Sequence, residues 1–439
     1  MYKLPYLFLF WALLPVSLMA QSDLLKSGPM VGYSEMREVA VWVQTAGPAD
    51  VFLRYWQAED SMASLRTRRL STAYEEAFTA VFQIPFLEPG KTYHYALFIN
   101  RKKISLPYET SFQTQSLWQW RRDQDPPQYT VALGSCTYIN DSAYDRPGRT
   151  YGNDYQVFTS IHKKDPDMML WLGDNVYLRE ADWYSRSGIL DRYTHTRSTP
   201  EMQPLLASTH HYAIWDDHDY GPNDANRSFI GKEQTLEAFR LFWPNRISGL
   251  PGAEGGITSQ FQFGDIDYFL LDNRYFRSPN RRTTGQRTIL GNAQIEWLID
   301  ALKTSRAPFK MVVMGGQFLN TAAVHETYST FPEERQKLLE LIVEEKIPNV
   351  VFLTGDRHHT ELSKLDTAGI TIYDFTVSPL TSGPNTNVTE VNRHREEGTL
   401  VQERNFGMLT FSGAFRERQL KMQIFNSEGT LLWERTIAQ

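Results

Sequence analysis

Six short apolar runs recur between residues 129 and 353 of this chain, and within each run the apolar residues are continuous rather than alternating. A strand with one exposed face alternates in polarity, whereas a strand buried on both faces does not. Between some runs the apolar residues have helical spacing, for example Phe158 with Ile161 and Leu236 with Phe239. Buried strands that alternate with helices predict a layered α/β domain. The six runs are 129–133, 168–172, 212–215, 268–271, 310–314 and 350–353.

Two longer helices and a hairpin are predicted in the second half of the chain. Asn292 can cap a helix that runs to Lys303, and Pro332 precedes a predicted helix over 333–345. Further on, the apolar segments 420–425 and 430–434 flank the turn sequence Asn-Ser-Glu-Gly. These two segments predict a hairpin at an edge or on a face of the sheet.

The region before residue 116 has a different character. Segments 40–44 and 51–55 are rich in β-branched and aromatic residues, which predicts strands. A Pro89-Gly90 turn leads into a further strand that places Tyr93 and Tyr95 on the same side. This arrangement resembles the tyrosine-corner region of fibronectin-type-III-like sandwiches. We therefore expect a small fibronectin-III-like β-sandwich ahead of the α/β domain.

The domain boundaries follow from changes in composition. The chain has 439 residues, a length that suits two or three domains. Residues 21–115 are assigned to the sandwich and 128–439 to the α/β domain. The segment between them, 116–127, is polar and ends in two prolines, which is typical of a linker.

The first twenty residues have the pattern of a signal peptide. Lys3 is followed by an apolar run over 4–19, and Ala20 offers a small residue for cleavage. The run is shorter than the ~20 residues that a membrane span requires. We expect an exported protein, periplasmic or secreted, that has no membrane span once the signal is removed. The alternative is that this segment remains as an N-terminal membrane anchor.

Charge and cysteine content exclude some classes of partner. The formal net charge is -6 and the pI is near 6.0, and the arginine clusters at 66–69 and 281–282 are short. A nucleic-acid reader normally carries a basic stripe, so no nucleic-acid partner is expected. Cys136 is the single cysteine of the chain, which excludes an intramolecular disulfide and raises the question of what the thiol does.

Each of the six apolar runs is followed by polar residues. Ligands in open α/β sheets bind beyond the carboxyl ends of the strands, so we expect these residues to converge on one site. A glycine before a carboxylate allows the side chain to leave a tight turn without Cβ crowding. The polar blocks are Gly134-Ser135-Cys136, Gly173-Asp174-Asn175-Val176-Tyr177, Asp216-Asp217-His218-Asp219, Asp272-Asn273-Arg274, Gly315-Gly316-Gln317 and Thr354-Gly355-Asp356-Arg357-His358-His359.

The residue types in these blocks suit metal ions better than a nucleophilic triad. Carboxylates and amides favour hard ions such as Ca²⁺ or Mn²⁺, whereas thiolate, phenolate and imidazole together favour Fe³⁺ or Zn²⁺. The chain contains neither a G-x-S-x-G elbow nor a P-loop. Two metal ions ~3.5–4 Å apart would clamp a phosphate and generate hydroxide at neutral pH.

Taken singly, each residue also has a structural interpretation. Cys136 suits a small buried hydrophobic position, and Tyr177 suits a core position. Asp217 suits a helix cap or a pair with an arginine, and His218, which lies between two acids, suits a buried ion pair. Asp356 with His358 suits a loop ion pair. Three further histidines are interpreted as neighbours without a role in the site, namely His210, His211 and His359. The repetition of such residues after equivalent strands favours the metal site.

The order of these blocks resembles one known family. Calcineurin-type metallophosphatases place metal ligands after successive strands, and the chain resembles their PhoD-like branch. In that branch the blocks are G-S-C, G-D-x-x-Y, W-D-D-H-[DE] and G-D-x-H, which correspond to 134–136, 173–177, 215–219 and 355–358. Two further segments, 290–298 and 378–383, resemble other blocks of the same branch. The resemblance implies an α/β (α+β) metallophosphatase fold of layered β-sheets flanked by helices.

The resemblance also implies roles for individual residues. Fe³⁺ would be bound by four residues, Cys136, Asp174, Tyr177 and His358. A second site, holding Ca²⁺, would be formed by Asp174 as a bridge with Asp217 and Asp356, and Asn223 is a weaker candidate ligand. His218, next to the catalytic Asp217, would protonate the leaving alkoxide. Candidate substrate-binding residues are Arg274 or Arg357 at the phosphate and Gln317 in the place of a histidine of ordinary metallophosphatases.

Three functions are compatible with these features. The first is hydrolysis of phosphate mono- or diesters, with a phosphate ester as the partner molecule. The second is metal-dependent hydrolysis of another bond, such as a cyclic amide, but the H-x-H block typical of those sites does not occur in the chain. The third is a non-enzymatic surface binding protein, which predicts eroded blocks. The sequence leaves open the ester class and the oligomeric state.

Overall fold

The computed structural model describes residues 24–60, 62–121, 124–246, 249–250 and 254–439. The predicted signal peptide, 1–20, lies outside the described residues. The strands are β1 (Leu25–Ser34), β2 (Glu38–Thr45), β3 (Ala49–Gln57), β4 (Leu65–Arg66), β5 (Leu70–Thr72), β6 (Thr79–Pro85), β7 (Thr92–Ile99), β8 (Lys102–Lys103), β9 (Ser111–Gln113), β10 (Tyr129–Gly134), β11 (Met168–Leu172), β12 (His210–Ile214), β13 (Ser259–Phe263), β14 (Ile266–Leu270), β15 (Lys310–Val313), β16 (Val350–Thr354), β17 (Glu361–Thr367), β18 (Ile370–Thr376), β19 (Asn405–Ser412), β20 (Gln419–Asn426) and β21 (Leu431–Ala438). The α-helices are α1 (Gln156–Lys163), α2 (Arg186–Arg197), α3 (Gln203–Ser208), α4 (Asp217–Tyr220), α5 (Lys232–Phe242), α6 (Asn292–Thr304) and α7 (Pro332–Glu344).

The N-terminal strands form two sheets that share a core. One sheet has the order β1-β2-β6, and the other has the order β4-β3-β7-β8 with β5 and β9 paired to its central strands. Val41 from the first sheet and Leu53 and Tyr95 from the second are buried in one apolar cluster. Tyr93 and Tyr95 lie in this cluster together, as their spacing predicts. The hydroxyl of Tyr93 accepts a hydrogen bond of 3.0 Å from the backbone N–H of Glu88, which ties the preceding turn to the strand.

The remaining strands form two six-stranded mixed sheets. The first has the order β12-β11-β10-β19-β20-β21, and the second has the order β13-β14-β15-β16-β18-β17. All six predicted buried strands are confirmed, and they divide equally, as β10, β11 and β12 in the first sheet and β14, β15 and β16 in the second. Within each trio the strands run parallel. The predicted hairpin is also confirmed, as β20 and β21 at the edge of the first sheet.

The two large sheets face each other, and helices cover the outer side of the second. Met311 and Val313 of β15 are buried in the same cluster as side chains of the first sheet. The alternate residues of this region, Val312 and Met314, are buried with the apolar side chains of α6 and α7. A strand with apolar neighbours on both faces needs a continuous apolar sequence, which is why these runs do not alternate. None of the helices in the described residues has the length and hydropathy required of a transmembrane segment.

Four predicted helices are present as α1, α5, α6 and α7, and one predicted cap is wrong. Gly291, not Asn292, occupies the N-cap of α6, and Asn292 is the first helical residue. The backbone N–H of Gly291 donates to the Glu334 carboxylate of α7 at 2.8 Å. The Asn292 side chain instead accepts from Gln286 at 3.0 Å. A tertiary contact therefore fixes the residue that precedes the helix, and the side chain of Asn292 does not cap it.

The two N-terminal sheets are hydrogen-bonded directly to the part of the protein that contains the two six-stranded sheets. Trp42 of β2 donates its indole N–H to the carbonyl of Leu241 at 2.7 Å. His210 of β12 accepts the backbone N–H of Gln113 on Nε2 at 3.1 Å, and its Nδ1 lies 2.8 Å from the carbonyl oxygen of Gly32. Because a carbonyl can only accept, Nδ1 carries the proton and the ring is neutral. The hydrogen bond from Gln113 therefore exists only while the ring is uncharged.

Acid is expected to destabilise the fold through buried histidines. Burial lowers the pKa of His210 to about 4 and that of His211 to about 3. In the unfolded chain both pKa values are near 6.5, so the unfolded state binds more protons in this window. The stability that each neutral ring contributes is present above pH 6.5 and is lost as the pH falls towards 4, on the order of 3 kcal/mol for His210.

The urea midpoint measured between pH 7.5 and 4.5 tests this expectation. His210→Gln, whose amide can still donate and accept but cannot ionise, is expected to flatten the pH dependence. His162→Gln, a substitution on α1 outside this interface, serves as the control. Equal slopes for His210→Gln and the wild type would contradict the assignment.

Candidate metal centre

The ends of the predicted strands meet at one edge of the two sheets, and glycines make this approach possible. Gly173 has φ 93°, and a Cβ at this position would lie 2.8 Å from the Cβ of Asp216. A Cβ at Gly355 would lie 2.6 Å from the Cβ of Ser135 in the opposite sheet. Real Cβ atoms do not come so close, so these two turns require glycine. The carboxylates of Asp174 and Asp356 follow directly after them.

A thiol, a carboxylate, an imidazole and a phenol converge at this edge. The Sγ of Cys136 lies 3.8 Å from the Oδ2 of Asp174. The hydroxyl of Tyr177 lies 3.3 Å from the same carboxylate oxygen and 3.3 Å from the Nε2 of His358. Cys136, Asp174 and His358 each offer one ligand atom within 4.8 Å of the others. These four side chains thus surround a single point at which an ion could bind.

The ring of His358 is oriented for such a contact. Its Nδ1 lies 2.6 Å from the carbonyl oxygen of Gly383, so Nδ1 carries the proton and Nε2 is unprotonated. Nε2 is the atom that faces Tyr177. A carbonyl that fixes the tautomer in this way is the usual outer contact of a metal-binding histidine.

Asp174 also belongs to a second group of candidate ligands. Its Oδ1 accepts the backbone N–H of His218 at 3.2 Å, so the two oxygens of this carboxylate face different neighbours. Asp174, Asp217 and His218 again place one ligand atom each within 4.8 Å of the others. The Oδ2 of Asp217 accepts the backbone N–H of Asp224 at 2.7 Å. Asp174 is therefore shared by two groups of candidate ligands.

A third acidic group shares Asp217 with the second and surrounds the guanidinium of an arginine. It comprises Asp216, Asp217 and Glu326. The guanidinium of Arg274 is fully buried and hydrogen-bonded to Asp216 and Glu326. Burial raises the pKa of Asp217, but Arg274 and His218 outweigh this effect and hold it below the ordinary value. Asp217 is thus ionised in this environment.

The buried carboxylates repel one another, and a bound cation would relieve this repulsion. Burial, and next the charge of Asp217, raise the pKa of Asp174 well above its ordinary value. Burial and the charge of Asp216 do the same for Asp356. Burial and the charge of Asp356 raise the pKa of Cys136 to about 12. A bound metal ion reverses each of these effects, because it stabilises the deprotonated form of every ligand. The donor set of this edge therefore fits metal ions.

Four of the candidate ligands have a strained backbone. Cys136, Asp174, Asp356 and His358 have φ values of 61°, 51°, 66° and 54°. Non-glycine residues in the left-handed region are uncommon, and such strain concentrates at functional sites. The fold thus holds these side chains in costly conformations, which is consistent with a function that needs them there.

A cavity of about 520 Å³ opens onto this edge of the sheets. Asn223, which is exposed, and Arg357 lie in its wall. A second cavity of about 530 Å³ lies beside it and shares His218, Asn223 and Tyr151 with the first. The predicted site residues in the wall of the first cavity are Asp174, Asp217, His218, Asn223, Asp356, Arg357 and His358.

The three predicted substrate-binding residues, Arg274, Gln317 and Arg357, are hydrogen-bonded to other side chains of the protein. Arg274 is enclosed by carboxylates and lines neither cavity. Gln317 is fully buried, with its amide nitrogen donating to Glu361 at 2.7 Å. Its amide oxygen accepts from Arg357 at 2.7 Å, and Arg357 also pairs with Glu390 at 2.6 Å. Of the three, only Arg357 reaches the wall of the cavity.

Several residues around the site were missed by the sequence reasoning. Asp216 belongs to a recognised block but received no role. Ser378, whose hydroxyl donates to the Sγ of Cys136 at 3.1 Å, lies in another recognised block. Tyr151 and Glu326 lie in loops that do not directly follow a predicted strand. The hydroxyl of Tyr151 lies 3.2 Å from the Nδ1 of His358. Arg179, two residues after Tyr177, also received no role.

The fold and the edge just described define a metallophosphatase-like protein, and the chain belongs to the PhoD-like phosphatase family, whose model matches residues 133–422. A second model, a domain of unknown function (DUF7800), matches residues 22–117. Together the two matches cover the N-terminal sheets and most of the two six-stranded sheets, whereas β21 lies beyond the second match.

Individual relatives agree with this membership. The chain is 24% identical over 327 residues to alkaline phosphatase D of Bacillus subtilis (strain 168), a match that covers 64% of this chain and about half, 53%, of that relative. A solved structure of PhoD has a TM-score of 0.75 at 20% identity and covers 94% of this chain and 89% of that chain. The purple acid phosphatase PPD1 from yellow lupin (Lupinus luteus) seeds has a TM-score of 0.67 at 13% identity, covering 94% and 74%. The two solved structures share the fold of this chain.

Proposed function

We propose that the chain is a metal-dependent phosphoesterase that hydrolyses phosphate mono- or diesters. The observation that carries this proposal is the convergence of Cys136, Asp174 and His358 with Asp217 and His218 around one shared carboxylate. Membership in the PhoD-like phosphatase family supports it. The cavity beside these residues has room for a phosphate ester.

The metal ions would be held by two sets of side chains that share Asp174. Cys136, Tyr177 and His358 complete one set, and Asp217 and Asp356, with Asn223 at the rim, complete the other. When bound, the ions would neutralise phosphate charge and activate the attacking water. The protein supplies the fixed geometry, because strained turns and buried hydrogen bonds leave these side chains little freedom.

His218 is proposed as the group that protonates the leaving alkoxide. Its Nδ1 is buried and has no hydrogen-bond partner among the described residues, and its ring stacks on Tyr177 at 4.3 Å. Burial lowers the pKa of His218 to about 4, while Asp217 acts in the opposite direction. A phosphate ester brings further negative charge, which favours the protonated imidazole.

The basic and amide residues receive different roles in this proposal. Arg357, in the wall of the cavity, is the candidate for contact with the phosphate. Arg274 orients Asp216 and Glu326 beside the second metal set, and Gln317 orients Arg357. The contacts of Arg274 and Gln317 support positioning rather than direct binding.

Assays on three model substrates test the proposed activity. The purified chain is incubated with bis-p-nitrophenyl phosphate, p-nitrophenyl phosphate and the cyclic amide hydantoin, each with and without a chelator. Chelator-sensitive release of nitrophenol from either phosphate ester is expected. Hydrolysis of hydantoin alone would favour a hydrolase of another bond, and no hydrolysis at all would favour a binding protein.

The identity of the metals is proposed from the ligand types. A thiolate, a phenolate and an imidazole suit Fe³⁺, with Zn²⁺ as the alternative, and the carboxylate-rich set suits Ca²⁺ or Mn²⁺. Thiolate and phenolate bound to Fe³⁺ give visible charge-transfer bands, whereas Zn²⁺ gives none. The purified protein is therefore expected to be coloured, and Cys136→Ser and Tyr177→Phe should bleach or shift the band. A colourless, active enzyme with zinc as its tightly held metal would overturn the iron assignment and leave the esterase proposal intact.

Export and domain organisation complete the proposal. The signal-like pattern at 1–20 supports export to the periplasm or the medium. Intact-mass measurement should then show loss of about twenty residues, and a membrane-extracted form that retains Met1 would contradict it.

We propose a fibronectin-III-like sandwich over 21–115, a linker over 116–127 and the phosphatase domain over 128–439. The two family matches, to 22–117 and 133–422, support this division.

A further inference from the structure

We propose that the cavity beside the metal centre is a subsite for a leaving group that carries its own negative charge, and that Arg179 binds that charge. This inference rests on the proposed function. It assigns a substrate class within it: phosphate esters of alcohols or phenols that bear a carboxylate or a second phosphate.

Arg179 is a buried cation that forms no ion pair with any carboxylate among the described residues. The residue is 8% exposed, and five of the seven buried arginines in the described part of the chain pair with a carboxylate. Of the remaining two, Arg197 is packed over Trp243 and donates to a backbone carbonyl. Arg179 instead lines the cavity of about 530 Å³. A buried charge is costly unless it is paired, so this guanidinium is suited to an anion that enters the cavity.

The guanidinium is held in a fixed orientation. Its Nε donates to the hydroxyl of Tyr138 at 3.1 Å, and the group lies over the Tyr138 ring at 4.6 Å and the Tyr177 ring at 5.5 Å. The Tyr138 hydroxyl in turn donates to Asp145 at 2.6 Å. Asp145 also lines this cavity, and its carboxylate has a cation of its own, since it lies 3.9 Å from the Nη1 of Arg192. Nε is thus used by the protein, while the two Nη groups remain for a ligand. A planar fork of this kind suits a carboxylate or a phosphate.

The rest of the wall suits a charged group on an organic body. Tyr138, Tyr151 and Tyr177 supply aromatic faces. Arg146 and Arg149 add positive charge at the exposed rim, where Arg146 pairs with Glu180 at 2.6 Å. Aromatic faces beside guanidinium groups favour an anion that is attached to an apolar or flat carrier over a free inorganic ion.

The position of His218 indicates which part of the substrate lies here. His218 lines both cavities, with the candidate metal ligands on one side and Arg179 on the other. Its ring stacks on Tyr177, the residue over which Arg179 also lies. A proton donor must lie next to the leaving oxygen. With the phosphate at the metal ligands, the leaving group therefore extends into the cavity of Arg179.

A matched pair of substrates tests the subsite. Methyl 4-nitrophenyl phosphate and methyl 3-carboxy-4-nitrophenyl phosphate, or the corresponding monoesters, differ by one carboxylate on the leaving group. The ratio of kcat/KM for the charged ester to that for the uncharged ester is expected to fall about 10- to 100-fold in Arg179→Gln, the size of a lost hydrogen-bonded charge pair. Arg179→Lys should fall between the two. Arg186→Gln, at an arginine that pairs with Glu237 and lines neither cavity, should change the ratio by less than about 3-fold.

The outcomes separate this inference from the proposed function. No hydrolysis of either ester by the wild type removes the proposed function itself. Hydrolysis of both with the same ratio in wild type and Arg179→Gln overturns the subsite alone, because a merely structural arginine would lower both rates together. Should Arg179→Gln fail to fold, product inhibition of the wild type decides. The subsite predicts that 4-(hydroxymethyl)benzoate inhibits about 10-fold or more tightly than benzyl alcohol, and equal inhibition overturns it.

Discussion

Replacing Asp174 with asparagine is expected to lower phosphate-ester hydrolysis by about 10³-fold or more, because bound metals supply several kcal/mol of transition-state stabilisation. The two oxygens of this carboxylate face Cys136 and Tyr177 on one side and the N–H of His218 on the other. The amide of asparagine has nearly the same shape but carries no charge and only one acceptor oxygen. The substitution should therefore weaken both metal sets at once.

Metal analysis separates this effect from a loss of folding. Asp174→Asn should retain a cooperative unfolding transition but hold less metal per chain than the wild type. Asp366→Asn, which removes an exposed carboxylate of the β17–β18 hairpin, is the matched control and should keep activity and metal. Full metal content with unimpaired turnover in Asp174→Asn would refute the bridging role.

His218→Asn is expected to lower kcat by about 10²–10⁴-fold, the usual contribution of a general acid. The loss should grow with the pKa of the leaving group, because good leaving groups need little protonation. Asparagine keeps the backbone N–H that Asp174 and Asp217 accept, so the carboxylates should stay in place. Metal content should accordingly remain near that of the wild type.

The dependence on the leaving group distinguishes an acid from a ligand. A series of substituted phenyl esters gives the slope of log kcat against leaving-group pKa, which should be steeper in His218→Asn than in the wild type. His162→Asn on α1 is the control for a general effect of losing a histidine. Loss of bound metal in His218→Asn, with an unchanged slope, would identify His218 as a ligand instead.

Much of this architecture could be predicted because the relevant signals are local. A strand buried on both faces needs a continuous apolar run, and all six such runs form strands. Glycines before Asp174 and Asp356 indicate turns that only glycine permits, and the structure has those turns. The convergence of the strand ends follows from the parallel direction of neighbouring strands.

Other features depend on contacts between distant segments. No local pattern shows that β10 to β12 and β14 to β16 belong to different sheets, because the strands of both trios have the same continuous apolar pattern. The start of α6 is fixed by a tertiary contact, since Glu334 of α7 accepts the N–H of Gly291 just before the helix. The sequence gives no sign that Arg274 and Arg179 have different surroundings. Arg274 is surrounded by carboxylates, whereas Arg179 faces a cavity. Only the packing of loops around each guanidinium distinguishes them.

The most direct test of the central claim couples metal content to turnover in the same samples. Chelator-treated protein is titrated with metal, and both the bound metal per chain and the rate on bis-p-nitrophenyl phosphate are measured at each step. The account predicts that the rate rises in proportion to bound metal and then saturates, and that Asp174→Asn stays flat under the same titration. Full turnover by the metal-free protein would contradict it.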